Sequence, residues 1–285
     1  MLPLGVSLRE MTADDIPAGL ALCRASRWNQ TARDWEQFLR LDPHGAAVAV
    51  RDGRVIGSVA TLRFGQRFAW ISMVLVDPAE RGRGVGRALL LHGLSLLGTV
   101  VARLDATPAG EVLYRKLGFE EEYRLTRFQR GAEAATPPAG DVPARPLRDD
   151  DWSRVFEFDE SVFGADRMGM LTWLARGEPE YAWVAQGAQG IDGFLLGRHG
   201  HSFEHLGPVI ATSVDVVRQL VVACVARHPA RAFIIDVPDR HATWQAWLKE
   251  IGFEEQRPFM RMFRGDHQYR GRPEHMFASV GPEFG

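Results

Sequence analysis

Cysteine is nearly missing from this 285-residue chain: there are two, Cys23 and Cys224. They lie in opposite halves inside apolar helical patterns, which excludes a disulfide framework and points to reduced, buried thiols. Net charge is also lacking, at −2, so no nucleic-acid face is expected. Long apolar runs are absent. The longest, Ala88 to Val101, is broken by His92 and is too short to span a bilayer. The first residues carry no signal-peptide pattern, so the expected location is the cytoplasm. Two nucleotide-binding patterns are missing as well. No Gly-Lys-Ser/Thr follows a glycine loop, and the one glycine cluster, at 82, 84 and 86, does not have dinucleotide-binding spacing. What remains is a globular composition, 46% hydrophobic and 25% charged.

The most informative stretch is Trp70 to Leu90. Ile71–Val76 is apolar and β-branched and reads as a strand that Asp77-Pro78 terminates. Arg81-Gly-Arg-Gly-Val-Gly-Arg87 follows and runs into the apolar helix from Ala88. Strand, glycine-arginine turn and helix start together make an anion pocket. Glycines let the backbone approach a ligand, and the helix start adds free N–H donors with partial positive charge.

Around this centre the first half reads as β-α-α-β-β-β-α-β-α-β-β. Val6–Glu10 is an edge strand, Thr12 and Asp15 form an acidic variant of a capping box, and a second helix carries Trp35, Phe38 and Leu39 on one face. Ala46–Val50 and Val55–Arg63 are strands joined through the hairpin signal Asp52-Gly53. Val100–Ala106 is a strand, Thr107-Pro108 opens a helix that Gly118 closes, and Phe119–Phe128 gives a closing pair of strands.

The order Val-x-Pro-x-x-Arg-Gly-x-Gly-x-Gly after a strand resembles motif A of the GNAT N-acetyltransferases. Leu113-Tyr-Arg-Lys-Leu-Gly-Phe119 resembles that family's second signature. The resemblance implies an α/β fold with a mixed, mostly antiparallel sheet flanked by helices. It also implies an acyltransferase that moves an acetyl group from acetyl-CoA to an amine. By the same resemblance Arg81, Gly82, Arg83, Gly84, Val85, Gly86 and Arg87 wrap the pyrophosphate. The backbone of Val74, Leu75 and Val76 would pair with the pantetheine arm at a bulge the sequence does not reveal. Thr107 stands where many members carry an asparagine on the CoA arm; its hydroxyl either replaces that contact or caps the helix. Tyr114 is the expected general acid. Asp105 is a candidate base, although Asp236 recurs in the repeat described next and suggests a structural role; a water chain is the alternative. No metal is implied.

The second half repeats the first. Gly118–Gly131 aligns without gaps to Gly252–Gly265, about half identical, and Phe233–Asp236 matches Ala102–Asp105. Leu206–Ala211 is the counterpart of the central strand, but Thr212-Ser213 replaces the phosphate loop, and Leu248 stands where Tyr114 is aligned. The chain resembles bacterial two-domain GNAT proteins with a degenerate second half. The expected domains are a GNAT domain at 1–130, an Ala/Pro-rich linker at 131–146, a GNAT-like domain at 147–265 and a surface tail at 266–285. Trp28-Asn29-Gln30, Trp35 and Trp70 are acceptor-side or core residues. His199, His201 and His205 are read as a solvated loop rather than a metal site. The expected partner is a small-molecule amine, with no nucleic acid or membrane, in a monomer or homodimer. A non-catalytic acyl-CoA sensor is the alternative function.

Overall fold

The computed structural model describes residues 2–134, 144–188 and 190–285. The first half contains β1 (Ser7–Glu10), α1 (Ile16–Ala25), α2 (Ala32–Leu41), β2 (Ala46–Arg51), β3 (Arg54–Phe64), β4 (Phe68–Val76), α3 (Val85–Leu97), β5 (Ala102–Ala106), α4 (Pro108–Lys116) and β6 (Glu120–Arg130). The second contains β7 (Ala144–Pro146), α5 (Trp152–Phe163), α6 (Met168–Gly177), β8 (Trp183–Gly187), β9 (Gly190–Arg198) and β10 (Glu204–Ala211). It continues through α7 (Val214–Val225), β11 (Phe233–Pro238), α8 (Ala242–Glu250), β12 (Glu254–Arg264) and β13 (Met276–Ala278). Local chemistry explains many boundaries. Asp52 and Gly53 both take positive φ, at 50° and 75°, which the two-residue hairpin between β2 and β3 needs. The Thr31 amide donates to Asp34 Oδ2 at 2.6 Å and so caps α2.

The described strands form one mixed sheet in the order β1-β2-β3-β4-β5-β12-β6-β11-β10-β9-β8-β7, with β13 paired to β10. Its centre departs from the expected domains. The expected closing pair of strands in the first half is a single long strand, β6. That strand lies against β11 of the second half, while β12 of the second half lies against β5 of the first. The two closing strands also pair with each other, Phe259 opposite Leu125. Each half therefore lends its last strand to the other, and neither sheet is complete within its own stretch of chain.

Two identical ion pairs lock the exchange. Arg261 of β12 donates from Nε and Nη2 to the two carboxylate oxygens of Asp105 on β5, at 2.8 Å each. Arg127 of β6 does the same to Asp236 of β11, at 2.7 Å each. All four side chains are buried. A buried pair of this geometry stabilises little against an apolar substitute, but losing one partner costs about 3–5 kcal/mol.

Two outer segments also differ from expectation. Residues 135–143 of the expected linker lie outside the described residues, whereas 144–146 form β7 on β8. The segment read as a surface tail divides in two: most of residues 266–275 are exposed, whereas residues 276–285 run through the interior. Ala278, Ser279, Val280 and Phe284 are fully buried. Phe284 stacks on Phe38 with centroids 4.7 Å apart, and Trp70 Nε1 donates to the Pro282 carbonyl at 2.9 Å. Trp35 and Trp70 are likewise buried in the core.

Candidate active site

β4 is paired with β3 and β5 near its start and irregular near its end. Met73 has φ +52°, which is strained for a side chain of its size. The register against β3 shifts at the same place, and Ser58 Oγ holds the displaced turn by donating to the Met73 carbonyl at 2.8 Å. This is a β-bulge. On the other side β4 pairs with β5 only at Ala69–Ala102 and Trp70–Arg103. Beyond that the two strands separate and leave a cleft of about 890 Å3 between Val74–Val76 and the Asp105–Thr107 segment.

The glycine-arginine loop forms one end of the cleft. Gly82 and Gly84 take left-handed φ values of +77° and +85°, which favour glycine. Gly84 precedes the first turn of α3, and a Cβ on Gly86 would meet Val76 Cγ2 at 3.5 Å, so the helix start lies close to β4. Among the described residues, no amide from Gly82 to Arg87 donates to a protein acceptor. Arg81 reaches back to the Val76 carbonyl from Nε at 3.1 Å, while Arg87 and Lys116 line the cleft without a carboxylate partner among the described residues. A row of free N–H groups at a helix start with cations around it suits a diphosphate. Arg83 is the member of the expected set whose side chain turns away: it is absent from the cleft wall and pairs with Glu80 at 3.1 Å.

Thr107 caps α4, its Oγ accepting from the Gly110 amide at 3.4 Å, while its hydroxyl proton remains available to the cleft it lines. Tyr114 projects from the same helix. Its ring packs on Phe119 and over Gly110, where any Cβ would come within 2.8 Å of the ring. The hydroxyl has no hydrogen-bond partner among the described residues, and burial pushes its pKa up to about 12, so it stays protonated at neutral pH. Asp105 lines the cleft, but both its oxygens are taken by Arg261. Burial pushes its carboxyl up and Arg261 pulls it down.

The cleft wall also contains residues outside the expected set: Arg127, Arg257 and Phe259 from the exchanged strands, and Pro282 and Glu283 from the last segment. Trp28 and Gln30, from the loop expected on the acceptor side or in the core, line it from the α1–α2 connection. Only the repeat alignment, by marking 118–131 and 252–265 as equivalent, carried any signal for Arg127, Arg257 and Phe259. His205 also differs from the expected solvated loop. It is buried, with Nε2 2.8 Å from Asp236 Oδ2, and burial beside Arg198 lowers its pKa to about 4. No group of three or more potential metal-ligating side chains occurs among the described residues.

The second half shows what has become of the equivalent splay. β10 pairs with β11 from Glu204 to Leu206; beyond Leu206 its register against β9 shifts and its pairing with β11 ends. β13 fills the gap, pairing Val209 with Ala278 and Ile210 with Met276, while the Ser279 amide donates to the Asp236 carbonyl at 3.0 Å. The chain's own extended segment thus occupies in this half the position that stands open between β4 and β5.

Comparison with known proteins agrees with this geometry. Two models of the acetyltransferase (GNAT) domain match, one at residues 42–121 and one at 155–278. Holothin acyltransferase of Pseudoalteromonas sp. (strain SANK 73390) is 27% identical over 242 residues, 85% of this chain and 82% of that protein. N-alpha-acetyltransferase RimI of Mycobacterium tuberculosis is 31% identical over 149 residues, 44% of this chain and 94% of that protein. A crystal structure of an acetyltransferase-type protein from Pyrococcus horikoshii superposes with a TM-score of 0.82 at 23% identity, covering 100% of this chain and 98% of the other. No described helix is long and apolar enough to cross a membrane. The chain belongs to the GNAT acetyltransferase family, with two such domains in tandem and acyl transfer from an acyl-CoA as the family's chemistry.

Proposed function

We propose that the first half is the catalytic one and transfers an acetyl group from acetyl-CoA to the amine of a small molecule. The observation that carries this is the contrast between the two splayed strand pairs. The second is closed by the chain's own β13, whereas the first is open beside six backbone amides with no protein acceptor among the described residues. An extended pantetheine arm can add to β4 along Val74–Val76 as a strand would, with its diphosphate on the amides of Gly82–Arg87. The thioester then lies between the bulge at Met73 and Tyr114.

The chemistry follows from that placement. The amine nitrogen attacks the thioester carbonyl carbon; a C–N bond forms and the C–S bond breaks. Backbone N–H groups at the bulge stabilise the oxyanion. Tyr114 gives its proton to the departing sulfur, and the proton released by the amine returns to the phenolate through water. Asp105, bound at both oxygens by Arg261, takes no part in proton transfer in this reading. The acceptor end is walled by Pro282, Glu283 and β12, which favours a small molecule over an extended peptide.

The test is thiol release from acetyl-CoA against a panel of small amines, with acetyl-CoA affinity measured separately by calorimetry. Turnover that depends on the amine supports the proposal. Tight CoA binding with no turnover on any amine would favour a sensor instead.

A further inference from the structure

The acceptor end of the cleft has a charge that the protein leaves uncompensated. Across the paired strands β12 and β6, Arg257 lies directly opposite Arg127. Like charges facing each other in this way destabilise a sheet. Arg127 is neutralised by its bidentate bond to Asp236. Arg257 has no carboxylate partner among the described residues, and its Nε is buried without a hydrogen-bond partner. Its guanidinium rests 5.5 Å from the Phe259 ring centroid. Burial and the proximity of Arg127 hold its pKa down to about 10, so it keeps its charge at neutral pH.

The groups facing Arg257 from other elements do not supply the missing anion. Asp236 is held by Arg127 and His205. Glu283 is held by Arg198, which also carries Asp34. Arg27, at φ +54° just past α1, adds a second cation with no carboxylate partner among the described residues. The cleft continues past Arg27, Trp28 and Arg257 into a hollow of about 710 Å3 that is lined by four arginines and no aspartate or glutamate. Arg24, one of the four, is satisfied by the carbonyls of Trp28 and Gln30. Among the described residues that line this hollow, the arginines whose side chains make no hydrogen bond or ion pair are therefore Arg257 and Arg27, and Trp28 lines it with them.

We infer that the acceptor is an anionic amine, whose carboxylate or phosphate is bound by Arg257 and Arg27 while its amine reaches the thioester. This rests on the acyl-transfer reading and names the substrate class for it. An arginine fork suits either oxyanion, so the test must separate the two.

The probes are matched pairs: amino acids against their carboxamides, and phosphoethanolamine against ethanolamine. Thiol release from acetyl-CoA is followed for wild type, Arg257→Gln and Arg257→Lys, with calorimetric titration of the same probes into CoA-saturated protein and of CoA into free protein. In wild type, the charged member of at least one series is expected to exceed its neutral partner by about tenfold or more in kcat/KM, and the series that does so tells carboxylate from phosphate. Arg257→Gln should erase that preference through KM for the charged probes, with CoA affinity unchanged; Arg257→Lys should restore part of it. Arg257→Gln should melt no lower than wild type, because it removes a cation facing Arg127. Neutral partners used equally well, a preference that survives Arg257→Gln, or CoA affinity falling in that variant would each overturn the inference. If no pair is turned over, tighter binding of the charged probes to the CoA-saturated protein supports it and equal or absent binding overturns it. Failure of wild type to bind CoA would instead overturn the acyl-transfer reading beneath it.

Discussion

Removing one oxygen atom from Tyr114 tests the assignment of the proton donor. In Tyr114→Phe the ring keeps its contacts with Phe119 and Gly110, and no hydrogen bond is lost, because the hydroxyl has none within the described protein. Stability and acetyl-CoA affinity should therefore stay near wild type. General-acid assistance contributes about 10²–10⁴-fold, which corresponds to about 3–5 kcal/mol on the barrier at 1.36 kcal/mol per tenfold. kcat should fall by that amount while KM for acetyl-CoA holds. Gly110→Ala approaches the same point from the other side. Its new Cβ would lie 2.8 Å from Tyr114 Cε2 and 3.4 Å from the hydroxyl oxygen, so the ring must move. Alanine is the better helix former by about 1 kcal/mol, and the displaced ring offsets part of that gain. Activity should drop without a comparable loss of melting temperature. Steady-state thiol release and thermal melts on the three proteins decide the matter. A Tyr114→Phe enzyme within about threefold of wild-type kcat would remove the tyrosine from the proposed chemistry.

Four further outcomes follow from the same geometry. Asp105→Asn should destabilise by about 3–5 kcal/mol in denaturant unfolding, since it strips the buried Arg261 of its counter-ion; an unchanged midpoint with a large fall in kcat would instead make Asp105 the base. Gly84→Ala, at φ +85°, should weaken CoA at least about tenfold in calorimetry, because the loop must strain to present its amides; unchanged affinity would argue against backbone capture of the diphosphate. His205 titrates at about 4 when folded against 6.5 when unfolded, so the unfolded chain takes up the proton first and stability falls as pH drops between those values, by about 3 kcal/mol in all; His205→Gln should flatten that slope in urea melts. Phe284→Ala should cost about 3–5 kcal/mol, the value for a filled core position; a change near zero would return the last segment to the surface.

Much of this was legible in the chain because it was local. The Asp52-Gly53 hairpin, the stop at Asp77-Pro78 and the Gly82–Arg87 loop each declare themselves within a few residues. The bulge at Met73 does not, since nothing in Ile-Ser-Met-Val marks methionine for positive φ; tertiary pairing to Ser58 imposes it. The strand exchange was hidden for a different reason. β6 and β12 occupy equivalent places in the repeat, so each satisfies the pairing pattern of either sheet, and local sequence has no means of saying which sheet it joins. The last segment was misread because its apolar residues are spread among glycine and proline. Phe277, Val280 and Phe284 look scattered in sequence, yet all are buried in the structure.

The exchange also explains why a half without a phosphate loop is still part of the enzyme. β12 supplies the strand that covers β5, the arginine that fixes Asp105, and the Arg257–Phe259 wall at the acceptor end. Cut between the halves, β5 would present an open edge and Asp105 a buried, unpaired carboxylate, both costly. The last segment ties the arrangement together. β13 fills the second half's splay, and the residues after it cross to Trp70 and Phe38 of the first. One duplicated cleft has thus become the anchor for a segment whose next residues, Pro282 and Glu283, wall the other. Loss of function in the second half and definition of the acceptor end in the first are on this view a single structural event.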